Sequence, residues 1–454
     1  MSRKEELKEK HQSTGWLRKS HNISLEEVNN TVKIPRNAGF WRKLFAFMGP
    51  GALVAVGYVD PGNWATSIAG GSKFGYTLLS VILISNLIAM LLQEMSARLG
   101  IATDMDLAQA TRNSVGKKPA IVLWILTELA IVATDIAEVI GSAIALNLLF
   151  NIPLLVGVAI TTLDVLVLLL LQKKGFRIIE SIVIVLMFTI FIVFLFEVIL
   201  TKPDMAALLS GYIPSSQIVT DPSMLFIALG ILGATVMPHN LYLHSSIIQT
   251  RQYERTLEGR KEAVKFAKID SVFSLTGAFV INSLILILGA SAFHGTGSVV
   301  AEIQDAYKLL SPTVGVAAAS TLFAVALLAS GQNSTITGTL SGQIVMEGFI
   351  HLRVAPWLRR VITRLIAVVP VFICTWLLGE GGTAQLLLWS QVILSLQLPF
   401  AVVPLVLYTS DKKKMGEFVN PTWIKILAWI ATVVIIALNV FLVGYILITG
   451  QDLG

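Results

Sequence analysis

Eleven stretches of roughly twenty mostly apolar residues recur along this chain, near 47–68, 77–98, 120–149, 153–172, 179–200, 223–248, 269–293, 314–346, 361–378, 384–408 and 424–448. A helix needs about 20 such residues to cross the hydrocarbon core of a bilayer. Backbone in lipid must satisfy its own hydrogen bonds, so such a chain folds as an all-α, polytopic bundle of membrane-spanning helices. Composition agrees: 55% of the 454 residues are hydrophobic and 14% are charged, against about 25% charged in a typical soluble domain. The eighth window is long for one span and is expected to extend beyond the membrane or to break.

Lysine and arginine set the orientation. With the N-terminus in the cytoplasm and the spans alternating, outer loops receive only Lys73, Lys202 and Lys308, leaving 31 of the 34 in or beside cytoplasmic segments. Shifting the topology by one span reverses that asymmetry. Eleven spans then put the C-terminus outside. The net charge of +6 lies on the cytoplasmic face and does not mark a nucleic-acid partner. Residues 1–45 are polar, lack the short apolar core of a cleavable signal and read as a cytoplasmic tail. Within it, the stretch NISLEEVNNTVKIP is expected to hold a short helix capped by Ser24. The longest polar connection is about twenty residues, which leaves no room for a soluble catalytic domain. A single cysteine, Cys374, excludes a disulfide framework within the chain, and no Cys/His cluster suggests zinc.

Span 1 carries GYVDPGNWATS (57–67) at its centre. Pro61 removes a backbone donor and Gly62 relaxes the local dihedrals, so the helix is expected to unwind around Asp60–Asn63. Unwound backbone at membrane depth persists only where protein or a water-filled cavity surrounds it. The break therefore faces inward. Span 6 carries a second one, LGILGATVMPHNLYLHSS, where Gly230, Gly233, Pro238 and Asn240 interrupt the helix beside His239 and His244. Span 1 enters from the cytoplasm and span 6 from outside. Similar breaks in oppositely oriented segments, five spans apart, predict an inverted repeat of five plus five helices with a transport site at the midplane. The expected divisions are a tail (1–45), a first half (46–200), a second half (201–410) and a last span with a short outer C-terminus (411–454). Plain proline kinks do not require Asp, Asn and His beside the proline, and a carboxylate at that depth costs at least about 2.5–3.5 kcal/mol.

Asp60 offers a charged oxygen, Asn63 an amide oxygen and Met237 a thioether. The unwound turns add backbone carbonyls, those of Gly57 and Ala234 lying one turn before Asp60 and Met237. Oxygens alone suit Na⁺, Ca²⁺ or Mg²⁺, whereas a thioether favours Mn²⁺, Fe²⁺ and softer ions such as Cd²⁺. Methionine is also an ordinary core filler, so spacing leaves Met237 open between the two roles. One carboxylate with neutral ligands makes a site that loads and releases its ion; a structural zinc site uses several Cys or His. No resident cofactor is expected.

Span 3, WILTELAIVATDIAEVIG, carries Glu128, Asp135 and Glu138. At 100° per residue, positions 135 and 138 lie about −20° and −80° from 128, so the three share one stripe. Span 9 opens with WLRRVITR, supplying Arg359, Arg360 and Arg364. Two readings stand: a network that relays protons, or an ion-pair cluster that holds two helices together. His239 reads as a proton-handling or gating residue and His244 as a hydrogen-bonding one. Gln93 in span 2 and Gln391 in LWSQVILSLQ of span 10 are polar at membrane depth.

DPGN in span 1 together with MPHNLYLHSS in span 6 resembles the Nramp family of proton-coupled divalent metal transporters. A third stretch, GQNSTITGTLSGQIVMEGF (331–349), resembles the family's signature in span 8, with Asn333 where Ser is more usual. The resemblance runs from about residue 40 onward. It implies a LeuT-like fold of ten core helices in two inverted halves plus one more, and uptake of Mn²⁺ or Fe²⁺ into the cytoplasm. It implies metal ligation by Asp60, Asn63, Met237 and the carbonyls of Gly57 and Ala234, with Gln93 and Gln391 near the ion. Gly57 stands where relatives often carry Ala, which leaves a backbone ligand intact. Met237 argues against the family's magnesium-transporting branch. The resemblance also favours proton transport for the acidic–basic network, with Asp60 and His239 nearest the metal.

The expected function is thus proton-coupled import of Mn²⁺, and of Fe²⁺ or Cd²⁺, by alternating access, with the thioether selecting against Ca²⁺ and Mg²⁺. The alternative is a LeuT-fold cation-coupled amino-acid symporter, although Asp60 would repel a substrate carboxylate. A membrane-embedded enzyme lacks its motifs: neither GxSxG nor HExxH is present, and no second aspartate stands at the break. A channel lacks repeated filter motifs. Short outer loops without glycosylation sequons point to a bacterial plasma membrane, and a monomer in the lipid bilayer is expected.

Overall fold

The computed structural model describes residues 24–161 and 176–450, apart from 36, 296–299, 301 and 317. The predicted tail up to residue 23, the 162–172 part of the fourth window, and the side chain of Arg360 fall outside the described residues. In chain order the main helices are α1 (Phe40–Phe47), α2 (Pro50–Gly57), α3 (Pro61–Phe74), α4 (Leu79–Thr103), α5 (Leu107–Val115), α6 (Lys117–Phe150), α7 (Leu154–Thr161), α8 (Phe176–Thr201), α9 (Pro222–Val236), α10 (Pro238–Ile247), α11 (Leu257–Phe293), α12 (Ile303–Val314), α13 (Ala319–Ile350), α14 (Pro356–Ser410) and α15 (Thr422–Thr449).

Among the described residues, seven helical stretches are long and apolar enough to cross a membrane alone. The other four windows fall short for separate reasons. Span 1 is split, and the fourth window lies mostly outside the described residues. The eighth, α13, is rich in Ser, Thr, Asn and Gln, and the ninth is a shorter apolar stretch, Val361–Leu377. Of the two outcomes expected for the eighth window, the structure shows extension: α13 runs 32 residues without a break, Ala319–Ile350, and α12 ends just before it.

Windows nine and ten form one continuously helical element, α14, of 55 residues. It is not a straight rod. Arg359 pairs with Glu128 and Gln397 bonds Thr127, two adjacent positions of α6, yet about 57 Å would separate residues 359 and 397 along a straight helix. The Cys374 thiol bonds the Gly382 carbonyl at 3.2 Å, which locates the reversal between them. The two arms are the two expected spans.

Burial sorts the helices into layers. Every residue of the most apolar stretch within Pro222–Thr250 is buried, against a third in α8 and in α15. The broken helix α9–α10 is therefore central, while α8 and α15 turn Phe188, Ile192, Val433 and Val440 outward as lipid-facing surface. Polar backbone inside such a core must find partners.

Both breaks are present, with a register different from that expected. Span 1 opens at residues 58–60, and Pro61 begins α3, with Gly62 and Asn63 inside its first turn. Proline prefers that first position, where no helical N–H is needed. In span 6 the break is Met237 alone, and Pro238 again begins the next helix. Gly230 and Gly233 lie inside α9 and permit close packing instead of unwinding it. The Ser24-capped helix is also corrected: a single 3₁₀ turn, Glu26–Val28, follows Leu25 with no side-chain cap. That segment crosses the helix ends, with the Leu25 N–H donating to Glu347 (3.0 Å) and β1 (Val32–Lys33) pairing in parallel with β2 (Arg251–Gln252).

At the start of α2 the free N–H groups meet a carboxylate from another helix. Asp270 of α11 accepts from Gly49 (3.2 Å) and Gly51 (2.7 Å). Buried Arg251 bonds the Phe47 and Met48 carbonyls (both 2.8 Å) and pairs with Glu180 at 2.7 Å. These contacts hold half-helix α2 closed against α8 and α11.

Candidate metal centre

The two prolines that begin α3 and α10 also free two carbonyls. In an unbroken helix the N–H of residue 61 would bond the carbonyl of 57, and that of 238 the carbonyl of 234. Proline has no N–H, so Gly57 and Ala234 lose those partners. At the span 1 break the neighbouring carbonyls are taken up. Val59 accepts from Trp64 Nε1 (3.2 Å) and Ser330 Oγ (2.5 Å), and Tyr58 from Asn282 (2.7 Å).

Asp60 caps α3. Its Oδ1 accepts the Asn63 backbone N–H (2.8 Å) and Asn63 Nδ2 (3.0 Å), while Oδ2 is buried with no hydrogen-bond partner. Asn63 Nδ2 also donates to the Ala234 carbonyl at 3.0 Å, tying the two broken helices together. Met237 sits between α9 and α10 at φ 30°, ψ 102°. A non-glycine residue there costs about 1–3 kcal/mol. A flexible core filler has no need of that position. Gly57 lies against Met237: a Cβ added to it would be 3.2 Å from the sulfur. Asp60, Asn63 and Met237 are all closed off from solvent. Among the described residues, no three or more His, Cys, Asp or Glu cluster to hold a metal, so any ion here rests on one carboxylate with neutral oxygen and sulfur.

Gln391 comes to the site from the second arm of α14, its amide pressed against Gly62, where a Cβ would stand 1.9 Å from Nε2. Gln93 stands one residue further out. Its Nε2 donates to the Tyr58 hydroxyl (2.8 Å) and its Oε1 meets His244 Nδ1 at 3.0 Å. His244 is a hydrogen-bonding residue. His239 is fully buried, its Nδ1 bonds nothing, and it lies within electrostatic reach of Asp135.

Two of the three acids of α6, Glu128 and Glu138, find separate arginines. Glu128 pairs with Arg359 (2.8 Å) and accepts from Trp124 Nε1 (3.0 Å). Glu138 pairs with Arg364 (3.3 Å), which also reaches the Asp135 carbonyl (3.4 Å). Thr335 bridges this pair, accepting from Arg364 Nη2 (3.0 Å) and donating to Glu138 Oε2 (3.1 Å). Thr335 had no assigned role in the sequence, although it lies within the 331–349 stretch that carries the third motif.

Residues 51–444 match the family model described as natural resistance-associated macrophage protein-like. The chain belongs to the Nramp family. A divalent metal cation transporter, MntH, of Listeria monocytogenes serotype 4a is 66% identical over 433 residues, 95% of this chain and 97% of its own. The manganese transporter of Eremococcus coleocola, solved with an aromatic bis-isothiourea substituted compound, is 48% identical with a TM-score of 0.86. The match covers 92% of this chain and 90% of that one. Mhp1, a nucleobase-cation-symport-1 family transporter, shares the fold at 16% identity (TM-score 0.61, covering 86% of this chain and 82% of that one). This Nramp chain is an all-helical membrane protein of the LeuT-like class, and its family is one of transporters, not enzymes.

Proposed function

We propose that this protein imports Mn²⁺, and with it Fe²⁺ and Cd²⁺, in symport with protons by alternating access. The observation that carries the proposal is the junction of the two breaks: a buried carboxylate oxygen without a donor, beside a strained methionine and two carbonyls stripped of their helical partners. The ligands are Asp60, Asn63, Met237 and the carbonyls of Gly57 and Ala234, with Gln391 beside them and Gln93 behind Tyr58. Asn63 now directs its amino end at Asp60 and Ala234. Both are acceptors that would face a cation, so the amide turns to present its oxygen when the ion binds. The relatives' names support a divalent cation as substrate.

Coupling follows from the same oxygen. An ionised carboxylate without a counter-ion is costly at this depth, so Asp60 exchanges a proton for the metal. His239, Asp135, Glu138 and Glu128, with Arg359, Arg360 and Arg364, supply the groups that pass the proton on. The lysine and arginine distribution supports a cytoplasmic N-terminus and an outer C-terminus. Residues 46–200 and 201–410 act as the two inverted halves, in a monomer of a bacterial plasma membrane.

An amino-acid symporter is disfavoured by the α3 N-terminus. Asp60 itself occupies the N–H of Asn63, a donor a substrate carboxylate would need, and its own charge would repel one.

Mn²⁺ uptake into proteoliposomes, with internal pH read simultaneously, tests the proposal. The native protein should carry Mn²⁺ with internal acidification and weak competition by Ca²⁺ or Mg²⁺, and Met237→Ala should make Ca²⁺ a stronger competitor. Absence of Mn²⁺ uptake by correctly oriented native protein contradicts it.

A further inference from the structure

The two breaks are similar residue by residue: Asp60-Pro61-Gly62-Asn63 against Met237-Pro238-His239-Asn240. The structure extends the likeness from sequence to bonding. Asn63 donates its side-chain amide to Asp60, three residues back, and to Ala234 on the other broken helix. Asn240 does the same in mirror. Its Nδ2 lies 3.6 Å from Met237 Sδ, three residues back, and 3.4 Å from the Val54 carbonyl of α2, on the other broken helix. Val54 is available because the Tyr58 N–H tightens onto Ala55 (3.1 Å) in place of the α-helical bond. Both neighbours of the amide are acceptors, which fixes its amino end toward them.

We infer that Asn240 is a positioning residue for the Met237 thioether and through it a determinant of metal selectivity, an inference that rests on Met237 being a ligand. Methionine has three rotatable bonds and a soft, weakly accepting sulfur. Left alone, such a side chain loses rotamer freedom when it binds an ion, and that loss weakens binding. An N–H···S contact engages one sulfur lone pair and leaves the other for a cation. Asn240 and Met237 are both fully buried, so no water competes for the contact. Gly57 makes the room: a Cβ there would stand 2.3 Å from Asn240 Nδ2. Asn240 Oδ1 is buried without a partner, so the amide is held from its amino end only, and the Val54 and Met237 contacts carry its orientation.

The test is calorimetric binding of Cd²⁺ and Mn²⁺ to the purified full chain as four proteins: native, Met237→Ala, Asn240→Ala and the double variant. Asn240→Ala is expected to weaken Cd²⁺ binding by about tenfold, the scale on which ligand-orienting residues act, and Mn²⁺ less, because sulfur matters more to the softer ion. In the Met237→Ala background it should change Cd²⁺ binding less than about twofold, since coupled residues are non-additive. Asn240→Ser, too short to hold both the Met237 sulfur and the Val54 carbonyl, should lower Cd²⁺ affinity in the same direction, and it serves if Asn240→Ala does not fold. Equal loss with and without Met237 overturns the inference and makes Asn240 structural. If Met237→Ala itself binds Cd²⁺ as the native protein does, the thioether is not a ligand and the reading of the site fails first.

Discussion

Asp60→Asn is expected to reduce Mn²⁺ affinity by at least about 100-fold and to abolish metal-driven acidification. The substitution keeps the shape of the α3 cap, because an amide oxygen can still accept the Asn63 N–H, now 2.8 Å from Oδ1. It removes the only carboxylate of the candidate set. A unit charge near a divalent ion is worth several kcal/mol even at an effective dielectric of about 20, and about 1.4 kcal/mol is tenfold in affinity. Calorimetry on the variant, with its thermal midpoint unchanged, separates lost binding from lost fold. Mn²⁺ binding within about threefold of native, against the 100-fold expected, would remove Asp60 from the site.

Arg364→Met is expected to destabilise the protein by about 3–5 kcal/mol, the usual cost of leaving a buried charge unpaired. Arg364 and Glu138 have side chains 1% and 0% exposed, so neither can turn to water. The measurement is the thermal midpoint in detergent, which should fall well below native. Adding Glu138→Gln should recover most of the loss, because a neutral buried pair avoids the desolvation cost. On the proposed proton role of this network, both variants should retain Mn²⁺ binding while internal acidification drops. A midpoint equal to native would show that Glu138 does not depend on Arg364 for its charge balance.

How far the sequence revealed these features depended on contrast. Asp60 and Pro61 stood out because nothing polar belongs in an apolar span without cause, and Glu128, Asp135 and Glu138 stood out against α6 for the same reason. The register of the break was less legible. Both "unwinding around proline" and "helix beginning at proline" fit DPGN, and the structure follows the latter because an N-terminal proline forfeits no bond. The arginine partners were not legible at all. Arg359 and Arg364 sit on one helix facing one acidic stripe, and only tertiary placement sends the first to Glu128 and the second to Glu138. The fold-back within α14 was legible as two separate spans, whereas the helix that continues across their junction was not. Asn240 was read as a helix breaker, the ordinary meaning of Asn beside Pro, because its bonds to sulfur and to Val54 exist only once α2 and α10 are packed.

Anomalous diffraction from crystals grown with Mn²⁺ would locate the ion itself. One peak at the junction of the two broken helices is expected, bounded by Asp60, Asn63, the Met237 sulfur and the carbonyls of Gly57 and Ala234. A peak elsewhere, or none at this junction in protein that carries Mn²⁺ into vesicles, would contradict the site described here.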